Sequence, residues 1–80
     1  MNLQEKFDAC KGIIGKSFPY KDCYNYPHGK MVSAEITNVT WFSAAWFDVH
    51  LCVSFTDGYK ADYMTSGESF FDEHRDLFNY

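Results

Sequence analysis

Residues 46–63 read WFDVHLCVSFTDGYKADY, and the rest of the chain is organised around them. Its apolar side chains occupy every second position from Phe47 to Phe55, which is the period of a β-strand with one buried face. Asp57 and Gly58 then interrupt the pattern, and residues 59–63 alternate again. Two alternating runs around an Asp-Gly pair predict a β-hairpin.

The length of the hairpin loop follows from which side chains must be buried. A two-residue loop would place Lys60 and Asp62 opposite apolar residues of the first strand. A three-residue loop, residues 56–58, keeps one face apolar through the pairs Phe55–Tyr59, Val53–Ala61 and Leu51–Tyr63. Because a one-residue slip would turn every side chain to the wrong face, burial favours the three-residue loop. Gly58 supplies the left-handed residue that such a loop needs.

Two helices flank the strands. Asn2 and Glu5 have the spacing of a capping box, and apolar residues then recur at helical spacing, so we predict a helix over residues 2–14 that Gly15 ends. Thr65 and Glu68 form a second capping box ahead of another amphipathic pattern, which predicts a helix over residues 66–79.

Residues 31–42 predict a further strand. Its inward positions change parity, from Val32, Ala34 and Ile36 to Val39 and Trp41, so we expect a bulge near residues 37–38. Short links between successive strands favour an antiparallel meander. The order α-β-β-β-α therefore predicts a single small domain over residues 1–80. It is an α+β two-layer fold, with a three-stranded antiparallel sheet and two helices packed on one of its faces.

The same patterns predict which side chains form the core. Each Trp-Phe pair, at residues 41–42 and 46–47, should send one ring inward and the other outward. Besides at least one tryptophan, the side chains expected to be mostly buried are Phe7, Ile14, Val49, Leu51, Val53, Phe55, Ala61, Phe70 and Leu77.

Composition bounds the class of protein. The chain has 80 residues, of which 20% are aromatic, and such a content helps so short a chain to build a sufficient core. It contains no apolar run near the ~20 residues of a membrane span and no signal-peptide pattern. We therefore expect a complete, free-standing cytoplasmic protein. The cysteine number is odd, three, so we expect free thiols rather than a disulfide framework.

Two sets of polar residues are candidates for chemistry. His50 and Cys52 point to the same side of one strand, and Asp62 lies opposite Cys52, which gives the residue types of a nucleophilic site. An open sheet face excludes no water and offers no oxyanion donors, so we favour a solvated face. Cys23 and His28 could join His50 and Cys52 around zinc, but the pattern lacks a compact Cys-x2-Cys knuckle. We therefore expect no enzyme, no cofactor and no bound metal.

Charge is divided unevenly along the chain. Residues 1–30 sum to +2 and residues 31–80 to −6, for a net charge of −4. The acidic half would meet a partner with a basic surface, and exposed aromatics would supply anchors. The sequence thus predicts a non-enzymatic protein-binding module, with no membrane or small-molecule ligand. Its candidate contact residues are five acids and five aromatics: Asp48, Asp62, Asp72, Glu73, Asp76, Trp41, Phe42, Trp46, Tyr24 and Tyr26.

In size and composition the chain resembles the small proteins that phages and mobile elements use against host systems. Anti-CRISPR and anti-restriction inhibitors are among them, and they share a profile rather than a motif. The resemblance implies an acidic inhibitor of a host protein or nucleoprotein complex, acting in the host cytoplasm.

The alternative is a protein that binds single-stranded nucleic acid. Three lysines, at positions 16, 21 and 30, interleave with three tyrosines in residues 16–30, KSFPYKDCYNYPHGK. Basic residues next to stacking aromatics suit single strands. The negative net charge argues against this alternative, because phosphate contacts dominate the affinity of such proteins.

Overall fold

The computed structural model describes residues 1–20 and 29–78. The elements run in the order α1 (Leu3–Lys11), β1 (Ser17–Pro19), β2 (Met31–Ser43), β3 (Trp46–Phe55), β4 (Lys60–Ser66), α2 (Gly67–Glu73) and a 3-10 helix (Arg75–Phe78). Within the described residues, none of the helices has the length and apolarity that crossing a bilayer requires.

The sheet has four strands in the order β1-β2-β3-β4, and every neighbouring pair is antiparallel. The α+β class, the meander and the two helices are confirmed, but the prediction of three strands is wrong. β1 is only three residues long, and Phe18 is its one buried side chain. A proline is tolerated there because β1 is an edge strand, so Pro19 misleads a reading of the sequence.

The β3–β4 hairpin has the predicted register. Val53 pairs with Ala61 and Leu51 pairs with Tyr63, across a loop at residues 56–58. The N–H of Gly58 donates to the Phe55 carbonyl at 3.0 Å, and Gly58 has a φ of 89°. The left-handed position predicted for glycine is therefore present.

β2 contains the predicted bulge and two further register shifts, one of them between Trp41 and Ser43 at the end of the strand. The register shifts between Ile36 and Asn38, so that Val39 and Ile36 both reach the core. Another shift lies between Met31 and Ser33, and it buries Met31 while leaving Val32 exposed. The inward position predicted for Val32 is wrong for this reason.

α1 begins where the sequence predicts and ends earlier. Glu5 N–H donates to Asn2 Oδ1 at 2.8 Å and Asn2 N–H donates to Glu5 Oε1 at 3.2 Å, which confirms the capping box. The helix ends at Lys11 rather than near residue 14, and a turn follows in which Gly15 N–H donates to the Ile36 carbonyl. This turn leaves the side chain of Ile14 42% exposed, so the prediction that Ile14 is buried is wrong.

α2 differs from the predicted second helix at both ends. Thr65 lies within β4, and the N-cap Ser66 makes no side-chain capping bond, so the second capping box is absent. The helix stops at Glu73 because His74 leaves the helical conformation, and the chain resumes as the 3-10 helix. The His74 ring stacks on Phe70 at a centroid distance of 4.5 Å, at the polar edge of the apolar stripe.

Phenylalanine is the commonest core residue, with seven of the fifteen buried apolar side chains among the described residues. Trp41 and Trp46 remain 39% and 49% exposed, so the prediction of a buried tryptophan is wrong. Ala61 and Leu77, expected to be buried, are partly buried at its margin. The buried apolar side chains are Phe7, Cys10, Phe18, Met31, Ala34, Ile36, Val39, Phe47, Val49, Leu51, Val53, Phe55, Phe70, Phe71 and Phe78.

Candidate functional site

One face of the sheet carries the helices, and the other, the outer face, carries the alternate side chains of the strands. In β3 every second residue from Phe47 to Phe55 is buried against the helices. The outer positions of the same strand are Trp46, Asp48, His50, Cys52 and Ser54. Cys52 lies between Glu35 of β2 and Asp62 of β4. No helix in residues 1–20 or 29–78 packs on this face.

Three large apolar side chains converge at one end of the outer face. Phe42 is 80% exposed, Met64 58% and Trp46 49%. Phe42 and Trp46 flank the turn that joins β2 to β3, while Met64 comes from β4 opposite His50. With Ser43 and Asp48 they line a shallow cleft of about 560 Å³, which we term the hairpin cleft.

The hairpin cleft has a carboxylate beneath its apolar rim. Asp48 is buried, with 8% of its surface exposed, and Trp46 Nε1–H donates to its Oδ1 at 2.8 Å. Among the described residues, Asp48 Oδ2 accepts no hydrogen bond. Every fully buried side-chain oxygen in these residues has a hydrogen-bond partner, so Oδ2 is not fully buried and stays in contact with solvent in the cleft. The indole therefore orients the carboxylate and leaves one oxygen open to a donor.

The nucleophilic arrangement suggested by His50, Cys52 and Asp62 is not assembled. His50 Nε2 lies 2.8 Å from the hydroxyl oxygen of Thr40, and within the described part of the chain Cys52 bonds neither His50 nor Asp62. Among residues 1–20 and 29–78, the Cys52 thiol therefore has no base hydrogen-bonded to it.

The zinc arrangement involves residues outside the described ranges, Cys23 and His28. Residues 1–20 and 29–78 contain no group of three or more potential ligands that could hold a metal. The other two cysteines, Cys10 and Cys52, are free thiols as predicted. Burial raises the pKa of the Cys10 thiol to about 12, so Cys10 behaves as a core side chain.

The acids named as a contact surface are divided between two faces. Asp48 and Asp62 lie on the outer face, whereas Asp72, Glu73 and Asp76 lie on the helix layer. The two groups point to opposite sides of the sheet, so they do not form one surface. Their separation follows from the strand pairing, which a count of charges along the sequence does not contain.

Asp72 takes part in ion pairs within the fold. Lys6 Nζ of α1 lies 3.1 Å from Asp72 Oδ1 and 3.9 Å from Glu68, and Arg75 lies 3.6 Å from the same Asp72 oxygen. The hydrogen bond from Lys6 is the main reason why the pKa of Asp72 lies below its usual value. Asp72 therefore links the two helices rather than facing a partner freely.

We expect the stability contributed by Asp72 to depend on pH. Its pKa is lower in the folded chain than in the unfolded chain, so its contribution is present above the unfolded pKa of about 3.9. The contribution is lost as the pH falls through the folded value. Asp72→Asn should therefore lower the urea midpoint at pH 7, and the difference from wild type should shrink below pH 4.

Glu73→Gln is the matched control for that measurement, because Glu73 neighbours Asp72 on the same helix and is exposed. The control should change the midpoint little at either pH. An equal effect of both substitutions at pH 7 would show that the helix-layer charge acts collectively, and the specific role of the Lys6–Asp72 pair would be wrong.

The five candidate aromatics also separate. Trp41 lies on the core side, where its ring stacks on Phe7 at 4.7 Å, while Phe42 and Trp46 lie on the outer face. Tyr24 and Tyr26 fall outside the described residues. The structure therefore brings together Phe42, Trp46 and Asp48 from the candidate set.

Sequence reasoning missed Met64 as a member of this site. The predicted hairpin register already placed Met64 on the same face as Asp48, so a signal was present in the strand pairing. Its role depends on Phe42 and Trp46 being brought to the same end of the sheet, which the β2–β3 turn does.

Comparison of the chain with protein-family models, with curated proteins and with solved structures finds no significant match.

Proposed function

We propose that the protein is a non-enzymatic protein-binding module that contacts its partner through the outer face. The observation that carries this proposal is the convergence of Phe42, Trp46 and Met64 around the hairpin cleft on a sheet face without a described helix. Exposed apolar side chains that cluster, rather than scatter, are typical of interaction sites. In this proposal the module is an inhibitor of a host protein or nucleoprotein complex, acting in the host cytoplasm.

The composition of the cleft suits a binding anchor. Interface energy concentrates in a few residues, with tryptophan prominent among them, that are desolvated at the centre of a contact. Trp46 is held by its bond to Asp48, so little side-chain freedom remains to be lost when a partner covers it. Neighbouring outer positions on β3 and β4 carry the polar residues His50, Lys60 and Asp62, which suits the rim of an interface.

Charge indicates what kind of partner fits. Among the strand residues that the structure describes, the outer face presents three acids, Glu35, Asp48 and Asp62, and one cation, Lys60. This excess of carboxylates favours a basic protein surface and raises its association rate. The same carboxylates disfavour direct contact with phosphates, which supports a protein partner rather than the nucleic acid of a nucleoprotein complex.

The test compares substitutions on the two sides of the sheet. Phe42→Ser with Met64→Ser alters the outer face, and Glu73→Lys with Asp76→Lys alters only exposed acids of the helix layer. Each variant is first checked by circular dichroism. Partners captured from a host lysate by the wild type are identified by mass spectrometry and purified, and the dissociation constant is then measured with each variant.

We expect the outer-face variant to bind the purified partner at least about tenfold more weakly, because apolar anchors dominate such contacts. The helix-layer variant should bind as the wild type does. Loss of binding with the helix-layer variant alone would place the contact on the helices. Direct binding of the wild type to single-stranded DNA or RNA, abolished by Lys16, Lys21 and Lys30 to Glu, would support the alternative and overturn the proposal.

A further inference from the structure

We propose that the hairpin cleft takes an arginine side chain of the partner, with its guanidinium on Asp48 and its stem among Phe42, Trp46 and Met64. This inference rests on the proposed function and names the chemical group that the outer face recognises. It depends on one combination in the described chain, an exposed apolar rim above a buried carboxylate that keeps one oxygen accessible.

An apolar side chain would fit this cleft poorly. Covering the opening would remove the water from Oδ2 of Asp48 and offer no hydrogen bond in return. Leaving a buried carboxylate oxygen without a donor carries a large desolvation cost. The occupant must therefore bring an N–H donor to Asp48, and a positive charge makes that bond stronger.

A cation with an apolar stem satisfies both parts of the cleft. The methylene groups of a long basic side chain can pack on the rim while its charged end reaches the floor. The faces of tryptophan and phenylalanine also attract cations by their quadrupoles. Among the described residues, Phe42 and Trp46 are the aromatic side chains that line the cleft, so their faces can supply this attraction beside the carboxylate.

Arginine suits the cleft better than lysine. Its planar guanidinium stacks on aromatic rings and is more weakly hydrated than an ammonium group, so less hydration is lost on entry. Its several N–H donors allow one to bond Oδ2 while others remain available at the polar edge, where Ser43 lies. Arginine is also enriched among the residues that dominate interfaces.

The experiment uses the whole chain and a small probe, so it needs no identified partner. A Gly-Arg-Gly peptide with blocked ends is titrated into the labelled protein, and the indole N–H signals of both tryptophans are followed by NMR. The Trp46 signal should shift and saturate in the millimolar range, because its N–H bonds the carboxylate that the probe contacts. The Trp41 signal, on the core side against Phe7, serves as an internal control.

Two comparisons test whether binding depends on the positive charge of the probe and the negative charge of Asp48. The matched probe carries citrulline, which keeps the shape of arginine and removes its charge, and it should bind roughly tenfold more weakly. Asp48→Asn keeps an acceptor for the Trp46 N–H but removes the negative charge, and it should weaken the arginine probe by a similar factor. Asp62 lies on the same face beside Cys52, which is four residues from Asp48 along β3, so Asp62→Asn should change the affinity less than about twofold.

Equal binding of the citrulline probe, or no saturable shift of the Trp46 signal, would overturn the arginine assignment. So would an Asp62→Asn effect as large as that of Asp48→Asn, because it would show attraction to the face as a whole. If the arginine probe does not bind as expected, but the variant with Phe42→Ser and Met64→Ser still loses the partner, only the arginine assignment is overturned and the proposed function stands. If the probe binds as expected, but the same variant binds the partner as tightly as the wild type does, the proposed function is overturned instead.

Discussion

Replacing Gly67 with alanine is expected to destabilise the fold by about 2–3 kcal/mol, although alanine is the better helix former. Gly67 is the first residue of α2, and a Cβ atom placed there would overlap the ring of Phe47. That ring is buried between Phe7 and Trp41, at centroid distances of 5.4 and 5.5 Å, so it has little room to move. In the substituted chain either the helix or the ring must shift, and this shift strains the junction between β4 and α2.

Gly12→Ala is the control for that measurement. Gly12 has a φ of −68°, and a Cβ there would meet only backbone oxygens at ordinary contact distance. This substitution should stabilise the chain by about 0.4–1 kcal/mol, because alanine restricts the unfolded state. Urea unfolding of both variants checks the pair. If Gly67→Ala changed stability by less than about 0.5 kcal/mol, the close approach of α2 to Phe47 would be wrong.

Leu51→Ala is expected to cost about 2–5 kcal/mol, a large share of the stability of so small a domain. Leu51 is fully buried at the centre of β3, and truncating it would leave a cavity between the sheet and the helices. The measurement is the urea midpoint together with the slope of the unfolding transition, because a change in that slope shows whether so small a domain still unfolds cooperatively.

The adjacent residue provides the control for Leu51. Cys52→Ala alters the outer face, where the side chain is half-buried, and should change stability by less than about 1 kcal/mol. The contrast tests the parity of β3 directly, since two neighbouring substitutions should differ several-fold in effect. If Cys52→Ala destabilised the fold as much as Leu51→Ala, the outer face would have to be covered by other groups that pack on Cys52.

These stability experiments also decide which variants suit the binding assays. Phe42 and Met64 are more than half exposed, so their replacement should spare the fold while removing the rim of the cleft. Trp46 is a poorer choice for truncation, since its indole covers a buried carboxylate that would lose its donor. Asp48→Asn avoids that loss because the amide oxygen can still accept the indole N–H.

The features of this fold that depend on local pattern are readable from the order of its amino acids. The alternation from Phe47 to Phe55 gave the strand and its buried face, and the loop ending at Gly58 gave the hairpin register. The capping box at Asn2 and the bulge after Ile36 were also readable. Each of these features is set by residues a few positions apart, whose spacing matches the period of the element that they form.

The features that join distant residues become apparent in the folded chain. β1 forms where Phe18 pairs with Ala34 of β2, and the turn after α1 is joined to β2 by the hydrogen bond from Gly15 N–H to the Ile36 carbonyl. The division of the acids between two faces, and the meeting of Met64 with the β2–β3 hairpin, likewise follow from strand pairing. The physical reason is that burial and long-range hydrogen bonds can override local preference, and the sequence order does not show which distant groups will meet.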